Sequence, residues 1–494
     1  MSGILSVSVG VLIAFALALA IIFFYVWDIT QKRHTILRNY PIIGHLRYFF
    51  EELGEYFRQY FFLGDRDERP FDRSTRSWVY RMAKDESDVI GFGSTYDLHE
   101  PGALIFVNEA FAVLDSDRLP TPPLTIGEGW CEKPFVARSL VNISGMSYGA
   151  ISRPAVRALS RGAAKAGCWM DTGEGGLSSY HLEGGCDIIM QIGTAKYGVR
   201  DDEGHLSMAK LREIAKHDAV RAFEIKLSQG AKPGKGGVLP AIKVTAEIAR
   251  IRGIPEGTDS LSPNRHLDIA NIDQLLDMVL RVRDATGKPV GVKTALGGPI
   301  FMHQLTEAIA RRGLGDAPDF LVIDGGEGGS GAAPQALADH VGMSINEALP
   351  HVVDALLLAG LKERIKIVAS GQLVTPARAA WALACGADYV NTARGFLFSL
   401  GCIQALRCHK NTCPTGITTH NPKLQRGLVV EEKFERVAHY CLNINHEIDM
   451  IAHSCGLRHA RELRREHVRI ADANGRTTAL NILYPYPAAP KAAV

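Results

Sequence analysis

Residues 320–331 read Phe-Leu-Val-Ile-Asp-Gly-Gly-Glu-Gly-Gly-Ser-Gly: four apolar residues, an acid, then a glycine-rich run. A short apolar run closed by turn residues suits a strand buried on both faces. Comparable runs recur at Ser139–Ser144, Cys168–Thr172, Asp187–Ile192, Arg221–Leu227, Pro289–Thr294, Ile365–Ala369 and Asp388–Thr392, which makes eight strand candidates. Helical patterns lie between them, at Arg153–Ala166, Met208–Lys216, Ile242–Arg252, Ile272–Thr286, Met302–Arg312, Ile345–Leu361 and Pro376–Cys385. Strands alternating with helices pair in parallel through right-handed crossovers. Eight such units, most ending in glycine or polar residues, predict an α/β fold with a closed (β/α)8 TIM barrel over residues 136–470 rather than an open sheet. No internal repeat is evident. No G-x-G-x-x-G run opens a helix after a first strand, so no Rossmann nicotinamide site is expected.

Ahead of the barrel, Ile4 to Trp27 carries no charge, long enough to cross roughly 30 Å of hydrocarbon as a helix. Tyr25 and Trp27 stand where an interfacial aromatic belt would lie, and Lys32, Arg33 and Arg38 follow. Residues 4–27 are therefore expected to form a single transmembrane helix, with the catalytic part on the cytoplasmic side. A cleaved secretory signal is the rival, but such a signal has its basic residues before the apolar run, not after it. Residues 28–135 read as a mixed accessory segment and 471–494 as a tail. Phe49, Phe50, Tyr56, Phe57, Tyr60, Phe61 and Phe62 suit a helix at a membrane surface or one packed on the main domain, and the packed reading is preferred. Pro120, Pro122 and Pro123 mark an extended connection. Hydrophobic content of 46% and charged content of 22% are those of a globular enzyme, and a net charge of +2 excludes nucleic acid as a broad electrostatic partner.

In such barrels chemistry sits at the carboxyl ends of the strands. Ser144-Gly145-Met146-Ser147, Thr172–Gly176, Gln191, Lys226, Gln229–Lys232, Lys235–Gly237, Lys293, Gly325–Gly331, Ser370-Gly371 and Thr392–Gly395 all fall there. One rim thus gathers several lysines, many backbone N–H groups and few carboxylates, which makes an anion site; loops after the seventh and eighth strands commonly bind phosphate. Lys226 and Lys293 lie in or at the end of apolar strands, where a cation needs an anionic partner. A flavin ring that becomes anionic on reduction is one such partner. A salt bridge to Glu224 or Glu174 is the other. Room for one phosphate, with no Rossmann unit, points to FMN.

Of nine cysteines, Cys131, Cys168, Cys186, Cys385, Cys441 and Cys455 are scattered and read as small core residues. Cys402, Cys408 and Cys413 lie together, with Pro414 after the last. Three thiolates suit a three-iron cluster or a four-iron cluster with an open iron; with His409 they also make a zinc set, and spacing leaves the two open.

Glu224-Ile-Lys-Leu-Ser-Gln-Gly-Ala-Lys-Pro-Gly-Lys-Gly-Gly237, Thr172-Gly-Glu-Gly-Gly176, Gly328-Gly-Ser-Gly-Ala-Ala-Pro334 and the run Leu400 to Gly416 are similar, in order, to the synthase domain of the glutamate synthase family over residues 140–460. The resemblance implies FMN bound by Ser144, Gly145, Met146, Ser147, Thr172, Gln191, Lys226, Lys293, Gly328, Gly329, Ser330, Gly371, Thr392 and Arg394, and a [3Fe–4S] cluster on the three cysteines. It implies that Gln229 and Lys232 hold 2-oxoglutarate, that Glu174 stands at the mouth of an ammonia route, and that reduced flavin passes hydride to 2-iminoglutarate, as an oxidoreductase of CH–NH2 donors. It also departs from the family. No glutamine-hydrolysing domain or β-helical domain is apparent, so ammonia is expected to be free or to come from a partner subunit, as are electrons. Ser262-Pro-Asn-Arg-His-Leu-Asp268, Ala369-Ser-Gly-Gln372 and Asn391-Thr-Ala-Arg394 differ from the usual pattern, which leaves the substrate open. A membrane-linked FMN enzyme of another substrate and a non-catalytic electron-transfer subunit are the alternatives; Gln229 and Lys232 speak against the latter.

Overall fold

A computed structural model describes residues 2–488, with side chains from residue 9 onward. Its contacts divide into a unit of residues 1–76 and a unit of residues 77–494. The first begins with helix α1 (Ser2–Thr30), which includes a 22-residue stretch, Val9–Thr30, long and apolar enough to cross a membrane and exposed apart from Asp28. Helix α2 (Gly44–Phe57) follows and runs into a π turn over Arg58–Phe62.

The second unit is built on a closed barrel of eight parallel strands: β1 (Val141–Ile143), β2 (Met170–Asp171), β3 (Ile188–Ile192), β4 (Val220–Lys226), β5 (Val290–Thr294), β6 (Phe320–Asp324), β7 (Lys366–Ser370) and β8 (Tyr389–Thr392). They coincide with the eight strands read from sequence, with ends that agree to within two residues. Residues of β3, β5 and β6 are buried on both faces, as a helix-covered parallel sheet requires. Helix α3 (Arg153–Ala166) shows why the pattern was legible. Ser152 caps its first turn, Pro154 fits that turn, and Gly167 ends it at φ 72°.

Three features escaped the sequence. Helix α4 (Val430–Ser454) closes the barrel's outer layer against α3. Gly162 lets the two helices approach, since a Cβ there would lie 2.5 Å from Val437 and 2.7 Å from the Phe434 carbonyl oxygen. The accessory segment is not independent either. Its hairpin, Leu124–Ile126 with Phe135–Ala137, covers the amino end of the barrel, where Ile126 and Phe135 pack with Trp169, Phe320 and Tyr389. Tyr389 donates its hydroxyl to Leu124 and Ala137 carbonyls at 3.0 and 3.1 Å. Third, the expected tail contributes structure: Thr477–Ala479 pairs with Val468–Ala471, which also pairs with Leu104–Phe106. Residues 489–494 lie outside the described chain. Five of the six scattered cysteines are buried as expected; Cys131 is half-buried, with its thiol 3.5 Å from the Asp319 carboxylate.

Candidate active site

At the carboxyl end of the barrel lies a cavity. Seven of the eight strands, or the loops after them, reach it. Ser144 and Gly145 follow β1, Gln191 lies in β3, Lys226 ends β4, Lys293 lies in β5, and Asp324 ends β6. Gly328 and Gly329 lie beyond β6, Gly371 and Gln372 beyond β7, and Arg394 beyond β8. Lys226 and Lys293 are register partners on adjacent strands, so their ammonium groups enter side by side. Among the expected cofactor residues, Met146, Ser147, Thr172 and Ser330 do not line the cavity. Thr172 turns its hydroxyl to the Gly173 carbonyl, Ser147 approaches Arg252, and Ser330 bonds the Ala332 carbonyl. Asp324, Gln372 and Asn391 line it although they were not singled out. Asn391 was the most accessible to inference, being a polar residue inside an otherwise apolar strand.

Burial and charge give this floor its character. Asp171 and Glu224 are fully buried, and Gln191 donates its amide to both, at 3.4 and 2.6 Å. Burial lifts both acids, and each other's charge adds to it for Glu224, which is pushed up to about 8. Burial opposes the charge on Lys293, but Glu224, Asp324 and Asp171 outweigh it and raise its pKa. Among the described residues nothing forms a hydrogen bond with Lys293 Nζ. Both polar side-chain atoms of Asn391 are buried without a partner, as is Glu224 Oε2.

A second, smaller chamber adjoins the first and shares Lys226 and Gln229 with it. Glu174, Thr194, Lys232, Lys235, Gly236, Gly237 and Asn264 complete its lining. Lys226 Nζ donates to Glu174 at 3.1 Å and to Gln229 Oε1 at 2.5 Å, so the salt bridge to Glu174 is made, in the wall between the chambers. Burial alone would raise Glu174; Lys226 and Lys232 hold it down instead, at about 2. Lys232 is 7% exposed, yet its ammonium forms no hydrogen bond or ion pair among the described residues. The loop carrying Gln229 and Lys232 is tied to the β6 loop: Gly230 N–H donates to Asp324 at 2.8 Å, and a Cβ on Gly230 would lie 2.0 Å from the Gly325 carbonyl oxygen. Ala231 takes φ 64° there, a strained conformation for a residue with a side chain. The altered run 262–268 has a supporting use. His266 Nε2 donates to the Lys226 carbonyl at 2.9 Å, and Asp268 pairs with buried Lys196 at 2.8 Å.

Cys402, Cys408 and Cys413 share a loop beyond the helix Arg394–Ser399. Gln404, Leu406 and Asn411 hold positive φ in it, and Thr419 and His420 bond back to Asn411. His420 donates to the Gly149 carbonyl at 2.8 Å; Lys243 bridges the Cys408 and Ala150 carbonyls at 3.1 and 2.9 Å. The cysteine loop is therefore fastened to the loop after β1, one wall of the cavity. Among the described residues the one trio of potential ligands with atoms within 4.8 Å of one another is Asp201, Glu203 and His205.

A family model described as the conserved region in glutamate synthase matches residues 104–458. The glutamate synthase large subunit-like protein YerD of Bacillus subtilis is 42% identical over 482 residues, 90% of this chain and 91% of its own. An archaeal glutamate synthase (NADPH) of Methanocaldococcus jannaschii is 36% identical over 345 residues, 69% of this chain and 64% of its own. The match thus spans a little under two thirds of that archaeal relative. Among solved structures, an active chimera of (S)-mandelate dehydrogenase aligns at a TM-score of 0.48 and 14% identity, over 80% of this chain and 98% of that one.

Proposed function

The chain belongs to the glutamate synthase family of oxidoreductases, and on that premise we propose that it is an FMN enzyme that reductively aminates 2-oxoglutarate or a related 2-oxo acid. The observation that carries this reading is the meeting of two chambers on Lys226 and Gln229, one walled by cations and glycines, the other holding the unpartnered ammonium of Lys232. The larger chamber fits FMN: Arg394 and the glycines at 328, 329 and 371 suit a phosphate, while Lys293 and Asn391 offer groups to a polar ring edge. When bound, FMN would supply the hydride.

The chain's own residues do the rest. Lys232 binds a substrate carboxylate in a nearly dry site, where a charge-assisted bond is strong. Gln229, its oxygen held by Lys226 and its amide donated to the Gly329 carbonyl at 3.0 Å, orients that substrate against the wall between the chambers. Glu174, kept ionised by Lys226 and Lys232, presents a fixed negative charge that can hold an ammonium ion beside the wall between the chambers. A fixed constellation of this kind lowers the barrier by holding partners in place.

Cys402, Cys408 and Cys413 would hold a [3Fe–4S] cluster that relays electrons from a donor subunit, an assignment supported by the resemblance of their run to that of the family and by the link between their loop and the cavity wall. The exposed apolar α1 supports a single-pass membrane anchor with the catalytic unit in the cytoplasm. That helix also favours a second reading, an FMN enzyme that exchanges electrons at the membrane with a different substrate. Mixing photoreduced enzyme with 2-oxoglutarate and ammonium in a stopped-flow instrument separates the two. Rapid reoxidation of the flavin is expected; no reoxidation, or a cofactor that chromatographs as FAD, refutes the amination or the FMN assignment.

A further inference from the structure

Helix α2 and the π turn after it present an apolar stripe that the described residues of their own unit leave largely exposed. At helical spacing Ile43, Leu46, Phe50, Leu53, Phe57 and Phe61 fall along one side. Ile43, Phe50 and Phe61 are 72%, 61% and 73% exposed. The opposite arc carries Arg47, Glu51, Glu55 and Arg58, with Arg47 and Glu51 paired at 2.8 Å. Soluble proteins seldom leave so many large apolar side chains in water along one line, and the stripe's aromatic content is that of a helix lying in the plane of a lipid surface.

The way α2 is attached to α1 indicates which surface. Asp28, two residues before the end of α1, is fully buried. Its carboxylate accepts from the Ile42 N–H at 2.8 Å and from His45 Nε2 at 2.9 Å. Ile42 adopts φ 66°, and Gly44 lets the first turn of α2 press on Leu37, since a Cβ there would lie 3.0 Å from the Leu37 side chain. The His45 ring also stands edge-on to Phe24 of α1, centroids 6.2 Å apart. The connection, residues 31–43 with a short helix at Thr35–Asn39, is tied back to Asp28 and so starts α2 at the level where α1 ends. The 22 residues Val9–Thr30 of α1 span roughly 33 Å, enough for the hydrocarbon core, so that level is the headgroup boundary. Lys32, Arg33 and Arg38 in the turn suit its phosphates.

We propose that α2 and its π turn lie along the same leaflet from which α1 emerges, with the Ile43–Phe61 stripe in the acyl boundary and the Asp28–His45 contact fixing the corner. This rests on the reading of α1 as a membrane span and takes the membrane-surface alternative for these aromatics. The test uses the full chain in vesicles of phosphatidylcholine and phosphatidylglycerol whose acyl chains are brominated near the headgroup. Of the parent's five tryptophans Trp27 alone lies in α1, so the part of the quenching lost in Trp27→Phe reports insertion of α1; Phe50→Trp and Glu55→Trp add a further reporter on the two sides of α2. Quenching of the parent, with the added emission of Phe50→Trp falling by about half and that of Glu55→Trp unchanged, is the expected result. A quenched parent with no extra quenching in Phe50→Trp overturns the proposal while leaving the anchor standing. An unquenched parent overturns both. Emission from Phe50→Trp that is blue-shifted but unquenched overturns it too, because the stripe is then covered by protein.

Discussion

Replacing Lys232 by Met removes an ammonium that is buried, faces the smaller chamber and has no partner among the described residues. Burial and the like charges of Lys226 and Lys235 push its pKa down, with Glu174 alone opposing, so the group is held charged at a cost that a bound carboxylate would repay. Loss of a charge-assisted contact of this kind weakens binding by about 1.5–3 kcal/mol, or one to two decades in affinity. The half-saturating 2-oxoglutarate concentration for flavin reoxidation should therefore rise about 10- to 100-fold in Lys232→Met, with flavin content unchanged. The melting temperature should not fall, because no ion pair is broken and an unpaired buried charge is removed. Lys226→Met provides the contrast. It strands Glu174, now bonded at 3.1 Å, and should cost up to roughly 3–5 kcal/mol of stability as well as activity. An unchanged half-saturation in Lys232→Met would refute the carboxylate assignment, whatever the turnover.

Glu224 titrates near 8 in the folded protein against 4.5 as its ordinary value, so the folded state binds its proton more tightly than the unfolded state. Its stability contribution is complete below pH 4.5 and fades as pH rises toward 8; thermal melts across that range should be flatter in Glu224→Gln, and an unaltered slope would contradict the shared burial with Asp171. Gly291→Ala places a Cβ 2.2 Å from the Phe320 ring inside the barrel and should lower the urea-unfolding free energy by about 1–3 kcal/mol. Cys408→Ser, purified without oxygen, should lose iron and acid-labile sulfide while keeping the barrel's circular dichroism; stoichiometric zinc in the parent protein would overturn the cluster assignment.

The eight barrel strands were legible because a parallel strand covered by helices on one side and filled by side chains on the other is apolar along its whole length. Turn glycines and caps such as Ser152 and Gly167 then marked the boundaries locally. The rim was legible for a related reason: in this topology every strand's carboxyl end faces the same way, so residues distant in sequence, such as Gly145, Lys226, Lys293 and Arg394, had to converge. Which of them meet was decided only in three dimensions. Nothing local distinguishes Lys226, bonded to a glutamate 52 residues away, from Lys232, left without a partner; the difference arises from where the β4 loop is pinned to the β6 loop at Gly230 and Asp324. The hairpin over the barrel's amino end was equally hidden, since strands of three residues carry too little periodicity to announce themselves and are stabilised by Trp169, Phe320 and Tyr389 from elsewhere. The exposure of the Phe50 stripe, too, is a property of the folded chain. An amphipathic pattern shows that a helix has an apolar side but not what that side meets, because burial depends on contacts made by residues far along the sequence.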